Sequence, residues 1–482
     1  MKLRIKRTDD MYETVIGLEV HLQLKTKSKV FCGCSTRFGA SPNSQTCPVC
    51  LGFPGSLPVL NREALKLSAK VAIALDCKIA DKIRFDRKNY FYPDLPKAFQ
   101  ISQFDQPLSQ HGELFILAGG KQKRIRIRRV HLEEDTGKLI HEKDSSLIDF
   151  NRSGTPLLEI VSEPDISSPE EAHEYLSSLK SILQYIDVSD CNMEEGSLRC
   201  DANISLRILG SQELGVKAEI KNMNSFRGVK AALEYEQSRQ EELLKSGQKV
   251  AQETRLYDSA RGVTESMRSK EEAHDYRYFP EPDLSPFDFD KSFLDDIGKS
   301  IPELPEPKKK RFIADYGLSD YDAMIMVSDK ALADYFEKVV ALCKNAKTAA
   351  NWLMGDISAY MKEKNLTVTG LGLKPEHLSD MLKMIDSSLI SGKTAKTLLV
   401  EMIETHKSPE ALVKEKGLEQ ISDEGAIEKA IAEVMSENQK IVNDFKGGKS
   451  NAIMALVGKV MAKTKGKANP GKVNELLRKK LA

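Results

Sequence analysis

Four cysteines in one short stretch are the clearest candidates for chemistry in this sequence. Cys32-Gly33-Cys34 is followed, after twelve residues, by Cys47-Pro48-Val49-Cys50. Thiolates are soft ligands, and four of them on two turns suit tetrahedral zinc. This spacing favours a zinc site over free thiols. Because a complete four-thiolate shell leaves no open position, the pattern predicts a structural zinc in a zinc loop at residues 28–56.

A second candidate group lies just upstream, on a predicted strand. Apolar residues occupy every second position from Ile16 to Leu24, and Glu19, His21 and Gln23 alternate with them. A period of two is typical of a half-buried strand. One side of this strand therefore packs into a core, and the other presents a carboxylate, an imidazole and an amide.

A run of acids follows another predicted strand. Arg124–Arg128 alternates cleanly and leads into His131-Leu132-Glu133-Glu134-Asp135. If this strand neighbours the first, its carboxylates converge with Glu19 and His21 in a group that suits Mg²⁺ bound to nucleotide phosphates. Histidine is an unusual magnesium ligand, so it could equally orient other groups. The alternative is an acidic run that caps a helix or lies in solvent, and the pattern alone favours this alternative.

Further elements could support such a site. Residues 197–205 and 216–221 each have one apolar and one charged side, and pairing in an antiparallel sheet would give a charged floor. Helices are predicted at 62–75, after the capping box at 168–171, and from about 225 to 245.

The bulk properties constrain the architecture and the class of protein. The chain has 482 residues, eight cysteines and a formal net charge of +1. No apolar run approaches the ~20 residues of a membrane span, and no signal-peptide core follows the N-terminus, which predicts a cytoplasmic protein with no membrane partner. Eight cysteines in a large cytoplasmic chain are unlike a disulfide framework, so Cys77, Cys191, Cys200 and Cys343 are interpreted as ordinary thiols.

Two composition shifts divide the chain. A proline-rich and charged segment at 301–311 and a second shift at 407–409 predict domains at 1–300, 301–408 and 409–482, with only helices beyond residue 300. From Lys446 to the end there are ten basic residues and one acid. This basic tail suggests a polyanionic partner, although a solvated helical face explains the charge equally well.

Two common motif classes are absent. Ser391-Gly392-Lys393-Thr394 resembles the end of a phosphate-binding loop, but Ser387 stands where that motif needs glycine and no strand precedes it. We therefore interpret the segment as a helix N-terminus. The sequence also has no glycine-rich serine motif of the kind that hydrolases and amidases use.

Several long motifs together resemble one protein family. These motifs are Glu13–His21, Arg87–Pro96, His131–Asp135, Asn151–Ile160, Met193–Asn203, Glu219–Phe226 and Asp275–Pro280. In them, and over nearly its whole length, the chain is similar to the B subunits of the bacterial aspartyl/glutamyl-tRNA amidotransferases.

The resemblance implies a fold and a reaction. The fold is α+β: a cradle-shaped catalytic domain with the zinc loop, an all-helical domain and a small helical tail. Family members use ATP and Mg²⁺ to phosphorylate the side-chain carboxylate of glutamate on tRNA(Gln) or aspartate on tRNA(Asn). Ammonia then gives Gln-tRNA(Gln) or Asn-tRNA(Asn). It is released from glutamine by a partner amidase, the A subunit, which assembles with the small C subunit into the same heterotrimer.

The resemblance also implies roles for individual residues. Glu19, His21 and Glu134 match catalytic, magnesium-binding positions, and Glu133 is a further magnesium candidate. Strict alternation puts Glu133, not Glu134, on the side of His131, so a bulge or strand end must intervene if Glu134 is a ligand. The residues expected to contact ATP are Lys88, Tyr90, Arg199, Asp201, Asn203 and Lys221. The tail lysines expected to neutralise tRNA phosphates are Lys449, Lys459, Lys463, Lys465 and Lys467.

Two rival functions remain open on the residues alone. A non-catalytic zinc-containing RNA-binding protein would keep the cysteines and the basic tail but would need no clustered carboxylates. A stand-alone ATP-dependent ligase acting on a free amino acid would lack the basic tail.

Overall fold

A computed structural model describes residues 12–267, 276–418, 424–447, 451–464, 468 and 470–481. The strands are β1 Tyr12–Gln23, β2 Lys78–Ile79, β3 Lys82–Ile83, β4 Asp86–Asn89, β5 Phe99–Ser102, β6 Ser109–Ala118, β7 Lys121–Glu134, β8 Lys138–His141, β9 Ser146–Asp149, β10 Pro156–Ser162, β11 Leu198–Ile208, β12 Ala218–Lys221, β13 Glu253–Asp258, β14 Val263–Ser266, β15 Phe279–Pro280 and β16 Phe287–Asp288.

Three helices lie among these strands and the rest follow them. The α-helices are α1 Arg62–Ala74, α2 Pro169–Tyr185, α3 Phe226–Lys245, α4 Lys291–Ser300, α5 Pro305–Tyr316, α6 Asp320–Met326, α7 Lys330–Cys343, α8 Ala346–Trp352, α9 Ser358–Lys364, α10 Pro375–Asp386, α11 Gly392–Thr405, α12 Pro409–Lys416, α13 Glu424–Glu437, α14 Gln439–Lys446, α15 Ala452–Lys463 and α16 Pro470–Leu481. A π-helical turn at Leu353–Ile357 joins α8 to α9, and a 3₁₀ turn lies at Val368–Leu371.

The predicted α+β fold is confirmed. A nine-stranded sheet has the order β14-β13-β12-β11-β1-β10-β7-β6-β2, and β1 lies at its centre. The apolar side of β1, from Ile16 to Leu24, is buried against α1, α2 and α3 in one core. The opposite side of the same strands carries polar groups, and we call it the polar face.

The register of the central strands decides which residues share the polar face. His21 of β1 lies opposite Glu159 of β10 and Arg199 of β11, and Glu159 lies opposite His131 of β7. Opposed residues of an antiparallel pair project to the same side. The predicted pairing of the two charged strands is also observed, since β12 runs antiparallel to β11.

A β-bulge in β7 sets which of its acids faces the site. Arg129 pairs with Val161 and Ile127 pairs with Ser162, so Arg128 has no partner in β10. Ile127 before the bulge and Val130 after it are both buried in the core. One extra residue reverses the inward and outward alternation. Without it, Glu134 would face the polar side in place of Glu133.

The helices begin where local sequence predicts. Ser168 caps α2 by accepting from the Glu171 N–H at 3.2 Å, with Pro169 at the first position. Ser225 caps α3, and Ser391 caps α11 by accepting from the Thr394 N–H. The segment that resembles a phosphate-binding loop is therefore a helix start, as interpreted.

The chain divides into two compact units, Met1–Leu304 and Pro305–Ala482, and every element of the second unit that the structure describes is helical. Within it, α13 to α16 enclose a small core of their own that includes Ile431, Leu456 and Leu477. The three-part division at 300 and 408 stays a prediction. Among the described residues, no helix is long and apolar enough to span a bilayer.

Candidate active site and metal centres

Three strands of the sheet bring one imidazole and two carboxylates together on the polar face. Ligand atoms of His21, Glu133 and Glu159 all lie within 4.8 Å of one another. We call these three residues the His21 cluster. The His21 Nε2 atom is 3.6 Å from Glu159 Oε2. His131 Nε2, buried beneath the group, is 3.2 Å from the same oxygen and 3.6 Å from Glu133 Oε2. This donor set can hold a divalent cation.

The charges of the His21 cluster stabilise one another. Burial opposes the charge on Glu159, but His131 and His21 outweigh it and hold its pKa well below the usual range. Burial likewise opposes a proton on His21, and the pKa of this imidazole is nevertheless raised because Glu159 and Glu133 are adjacent. The two carboxylates are therefore ionised at neutral pH, which is the form that binds a metal.

Glu19 lies one step along the same side of β1. The Asn203 side-chain amide donates to Glu19 Oε1 at 3.0 Å. Burial and the neighbouring Glu159 and Glu219 carboxylates raise the pKa of Glu19. Since negative charge is in excess here, a bound cation would relieve repulsion among these carboxylates.

A cation and its acidic partners form the next part of the polar face. The Lys221 ammonium donates to Asp201 Oδ2 at 2.7 Å and lies 2.9 Å from Glu219 Oε1. Burial lowers the pKa of Lys221, but Asp201 and Glu219 outweigh it, so the pKa is raised and the ammonium stays charged.

A second cation is anchored by a buried carboxylate. Arg199 Nη2 donates to Asp135 Oδ1 at 2.8 Å, and the Gln23 amide donates to the other oxygen of Asp135 at 2.7 Å. The Asp135 carboxylate is 2% exposed. Burial raises its pKa, but Arg199 and Arg152 outweigh this and lower it. The ion pair fixes the orientation of Arg199 on the polar face.

A third cation comes from a small sheet of β15, β4 and β5. The Lys88 Nζ atom lies 4.9 Å from the centroid of the Tyr276 ring and 5.7 Å from that of Tyr90. Burial lowers the pKa of Lys88, but Glu133, Tyr278, Tyr276 and Glu159 together outweigh it and the pKa is raised. Tyr90 packs edge-on against Tyr276. Burial raises the pKa of Tyr90, and the Glu133 carboxylate raises it further. Because Glu133 acts on both Lys88 and Tyr90, these two side chains belong near the His21 cluster.

The four cysteines of the zinc loop also converge. Their Sγ atoms lie within 4.8 Å of one another, and Cys47 Sγ is 3.9 Å from Cys50 Sγ. Four sulfurs at ~2.3 Å from one zinc would have about this separation. The Cys47 N–H donates to Cys50 Sγ at 3.2 Å, which is the local turn that a C-x-x-C spacing makes. The predicted convergence of the four cysteines is confirmed; the cluster could bind a metal, and its geometry is compatible with structural zinc.

Buried and polar neighbours hold the zinc loop. Lys29 is fully buried, and its ammonium donates to Cys50 Sγ at 3.5 Å and to the Phe150 carbonyl at 3.3 Å. The Asn151 side chain accepts from the Gln45 N–H at 2.7 Å and donates to the Ser41 carbonyl at 2.7 Å. The loop is therefore tied to the segment between β9 and β10.

Comparisons with known proteins agree along nearly the whole chain. Residues 14–295 match the family model described as the GatB/GatE catalytic domain, and residues 334–481 match the GatB domain. The chain is 53% identical to a protein of Caldanaerobacter subterraneus subsp. tengcongensis over 472 residues, which is 98% of this chain and 99% of that protein. It is 55% identical to one of Thermodesulfovibrio yellowstonii over 467 residues, 97% and 98% of the two chains. Both are named as the B subunit of an aspartyl/glutamyl-tRNA(Asn/Gln) amidotransferase.

The chain belongs to this family of amidotransferase B subunits. The catalytic-domain match contains the nine-stranded sheet, the zinc loop and the His21 cluster together. Every residue for which we expect a role in catalysis, or in binding ATP or a metal, therefore lies inside it.

Glu134 is the expected magnesium ligand that the structure does not bring to the His21 cluster. It pairs with Lys97 and accepts from the Ile101 N–H at 2.9 Å. With Lys97 it lines a separate cavity of about 670 Å³ that also includes Cys32 and Cys50. The reason is the alternation of β7 after its bulge, which turns Glu133 to the polar face and Glu134 away from it.

Glu159 is the member of the His21 cluster that sequence reasoning missed. It lies in Pro156-Leu157-Leu158-Glu159-Ile160, a mostly apolar run in which no other polar residue marks it. The available clue is the lone carboxylate itself, because an isolated charge in an apolar run is costly to bury without a partner. The other expected residues on the polar face are Glu19, His21, Glu133, Arg199, Asp201, Asn203 and Lys221.

The basic tail is only partly described. Lys449, Lys465 and Lys467 lie outside the described residues. Lys459 is exposed on α15, whereas Lys463 lies 3.0 Å from Glu433 and 2.7 Å from Glu437. A phosphate contact by Lys463 would have to replace these ion pairs.

Proposed function

We propose that this chain phosphorylates and amidates its substrate within a tRNA-dependent amidotransferase. It converts glutamate on tRNA(Gln), aspartate on tRNA(Asn), or both, into the corresponding amide, with ATP and glutamine as co-substrates. Its protein partners are the amidase, or A subunit, and the small C subunit, and its compartment is the cytoplasm. The observation that carries this proposal is the His21 cluster beside three cations, in a chain of this amidotransferase family.

The chemistry requires an activated carboxylate. A carboxylate does not react with ammonia, because oxide is too poor a leaving group. Attack of a carboxylate oxygen on the γ-phosphorus of ATP forms an acyl phosphate and releases ADP. Ammonia then attacks the acyl carbon, phosphate leaves, and a proton passes from nitrogen to the medium or to a nearby base. The protein must therefore position two anions and neutralise their charge.

The His21 cluster is suited to neutralising phosphate charge through Mg²⁺. Glu133 and Glu159 would supply the oxygen ligands, and His21 would complete the group or orient Glu159, to which it is adjacent. Bound Mg²⁺ would screen the phosphate oxygens from the substrate carboxylate. Glu19, two residues from His21 on β1, would bind the hydrated side of the ion.

The cations of the polar face have a complementary task. Arg199 and Lys221 are held in place by Asp135 and Asp201, so they would meet phosphate oxygens without reorganising. Lys88 would contribute a third positive charge from the small sheet. The Tyr90 ring beside it would exclude water, which otherwise hydrolyses an acyl phosphate.

The zinc loop and the tail have structural and binding roles in this proposal. Four thiolates leave zinc no open position, so zinc at Cys32, Cys34, Cys47 and Cys50 holds the loop and takes no part in the reaction. The basic tail contacts the tRNA backbone.

One assay tests the proposed function directly. The chain is combined with its amidase and small partner subunits, glutamine, ATP and tRNA mischarged with labelled glutamate or aspartate, and amide on the recovered amino acid is measured. We expect amide formation that requires ATP, Mg²⁺ and mischarged tRNA together, with ADP formed in equal amount.

Other outcomes would point to the two rival functions. Binding of tRNA without ATP turnover would favour a non-catalytic zinc-containing RNA-binding protein. ATP turnover on free glutamate or aspartate, without dependence on tRNA, would favour a stand-alone ligase. Either result would overturn the proposal.

A further inference from the structure

An open cleft adjoins the His21 cluster on the polar face, and none of the residue roles proposed above fills it. Its volume is about 760 Å³, and its floor is Gly17 of β1. Glu19 and Asn203 border it on the side of the cluster. Two residues of β1 span about 7 Å, so Glu19 is one such step from His21 and Gly17 is two.

Two exposed cations border the cleft from different elements. Arg128 is the unpaired residue of the β7 bulge, and Lys217 lies just before β12. In the described part of the chain, neither cation has an ion pair. Lys217 is close enough to Glu219 to act on its carboxyl: burial raises the pKa of Glu219, but Lys221 and, more weakly, Lys217 contribute to lowering it. By contrast, Arg199 and Lys221 are each paired with a carboxylate. The cleft therefore has positive charge free for an anionic ligand.

The absence of a side chain at Gly17 keeps this cleft open. A Cβ atom at Gly17 would meet no atom closer than 4.0 Å, so packing of the strand does not require glycine there. A side chain at this position would instead project from the polar face into the cleft. Leu214, 54% exposed, and Pro164 add apolar surface on which a base could stack.

We propose that this cleft binds the 3′-terminal nucleotides of the mischarged tRNA, with Arg128 and Lys217 contacting their phosphodiesters. The inference rests on the proposed function, because the carboxylate to be phosphorylated hangs from the 3′-terminal ribose. That ribose must lie within one aminoacyl length of the His21 cluster, and the edge of the cleft at Glu19 is one two-residue step from His21 along β1. The phosphates of ATP meet the paired cations Arg199 and Lys221, which leaves the unpaired cations for a second polyanion.

The test compares Michaelis constants in the assembled heterotrimeric enzyme. Arg128→Ala/Lys217→Ala should raise KM for mischarged tRNA about tenfold while KM for ATP and kcat stay near wild type. If two phosphate contacts are lost, the slope of log KM against the logarithm of the salt concentration should decrease by roughly 1.4. Arg124→Ala is the matched control, since Arg124 lies on the same strand but pairs with Glu113. It should change neither constant.

A second pair of variants tests the space rather than the charge. Gly17→Ala should raise KM for mischarged tRNA, and Gly17→Val should raise it further. The unfolding temperature should be unchanged in both variants. A rise in KM for ATP instead would assign the cleft to the nucleotide and overturn the proposal. If Arg124→Ala and the double variant have equal effects, or if neither has an effect, Arg128 and Lys217 are solvated surface residues that do not bind tRNA. Either result would overturn the proposal. If the wild-type enzyme forms no amide, the proposed function itself is refuted. The wild-type measurement therefore separates failure of the proposed function from failure of the cleft assignment.

Discussion

The two groups of this protein that could hold a metal ion are assembled in opposite ways. The cysteines of the zinc loop come from one segment, and each pair is set by a local turn. The His21 cluster draws its members from β1, β7 and β10, which are more than a hundred residues apart at the extremes. Local spacing therefore suffices to predict the cysteine cluster, whereas the membership of the His21 cluster depends on sheet register.

The largest expected effect is on stability at the zinc loop. Cys47→Ser should lower the free energy of unfolding by several kcal/mol, since a complete structural zinc site is worth ~10–16 kcal/mol in small peptides. Thermal unfolding with zinc bound and after chelation measures this. Cys343→Ser, at a thiol outside the loop, is the control and should not respond to chelator. A fully stable Cys47→Ser protein with a selective loss of catalysis would contradict a structural role.

The corresponding change in the His21 cluster should act mainly on the rate of amidation. Glu159→Gln removes the negative charge that lies beside both His21 and His131. We expect ATP-dependent amidation to fall by at least about 10²-fold, as when one preorganised electrostatic group is lost. Glutamine hydrolysis by the partner amidase should persist.

Glu163→Gln provides the control for Glu159→Gln, because Glu163 follows the end of β10 outside the cluster. Equal loss of amidation and glutamine hydrolysis in the Glu159 variant would indicate damage to the whole assembly instead.

A third prediction separates the two adjacent acids of β7. Glu133→Gln should raise the Mg²⁺ concentration needed for half-maximal activity by about 10- to 100-fold, the range typical for weakening a metal site through its ligand shell. Glu134→Gln should leave that concentration unchanged, since Glu134 pairs with Lys97. Magnesium titrations at saturating ATP and tRNA measure both. The opposite order would mean that Glu134 is the ligand after all.

The smallest expected effect concerns Lys29. Its buried ammonium donates to Cys50 Sγ. With zinc bound, four thiolates would leave the group with two negative charges, and a hydrogen bond to a charged group contributes ~1.5–3 kcal/mol. Lys29→Met should therefore raise the zinc dissociation constant by roughly tenfold or more, measured by competition with a chelating dye. Lys27→Met, at an exposed position, should not. Identical zinc affinity in both variants would show that Lys29 serves packing only.

Much of the fold follows from sequence because its signals are local. The period of two in β1, the serine caps of α2 and α3 and the cysteine spacing each reflect contacts within a few residues. The family resemblance extends this to the reaction and to most residues of the polar face. These features do not depend on how the strands are ordered.

The tertiary structure alone decided that Glu159 belongs to the His21 cluster and that Glu134 does not. Glu159 joins it because β10 lies between β1 and β7, and strand order is a non-local property that a single segment does not encode. Glu133 faces it, and Glu134 does not, because the bulge at Arg128 reverses the alternation of β7. His111, opposite this point in β6, adopts a positive φ of 58°, so the irregularity is shared by two strands. A shift of one residue moves every later side chain to the other side of a sheet. Alternation from His131 already put Glu133 on its side, and it is the family resemblance that implied Glu134.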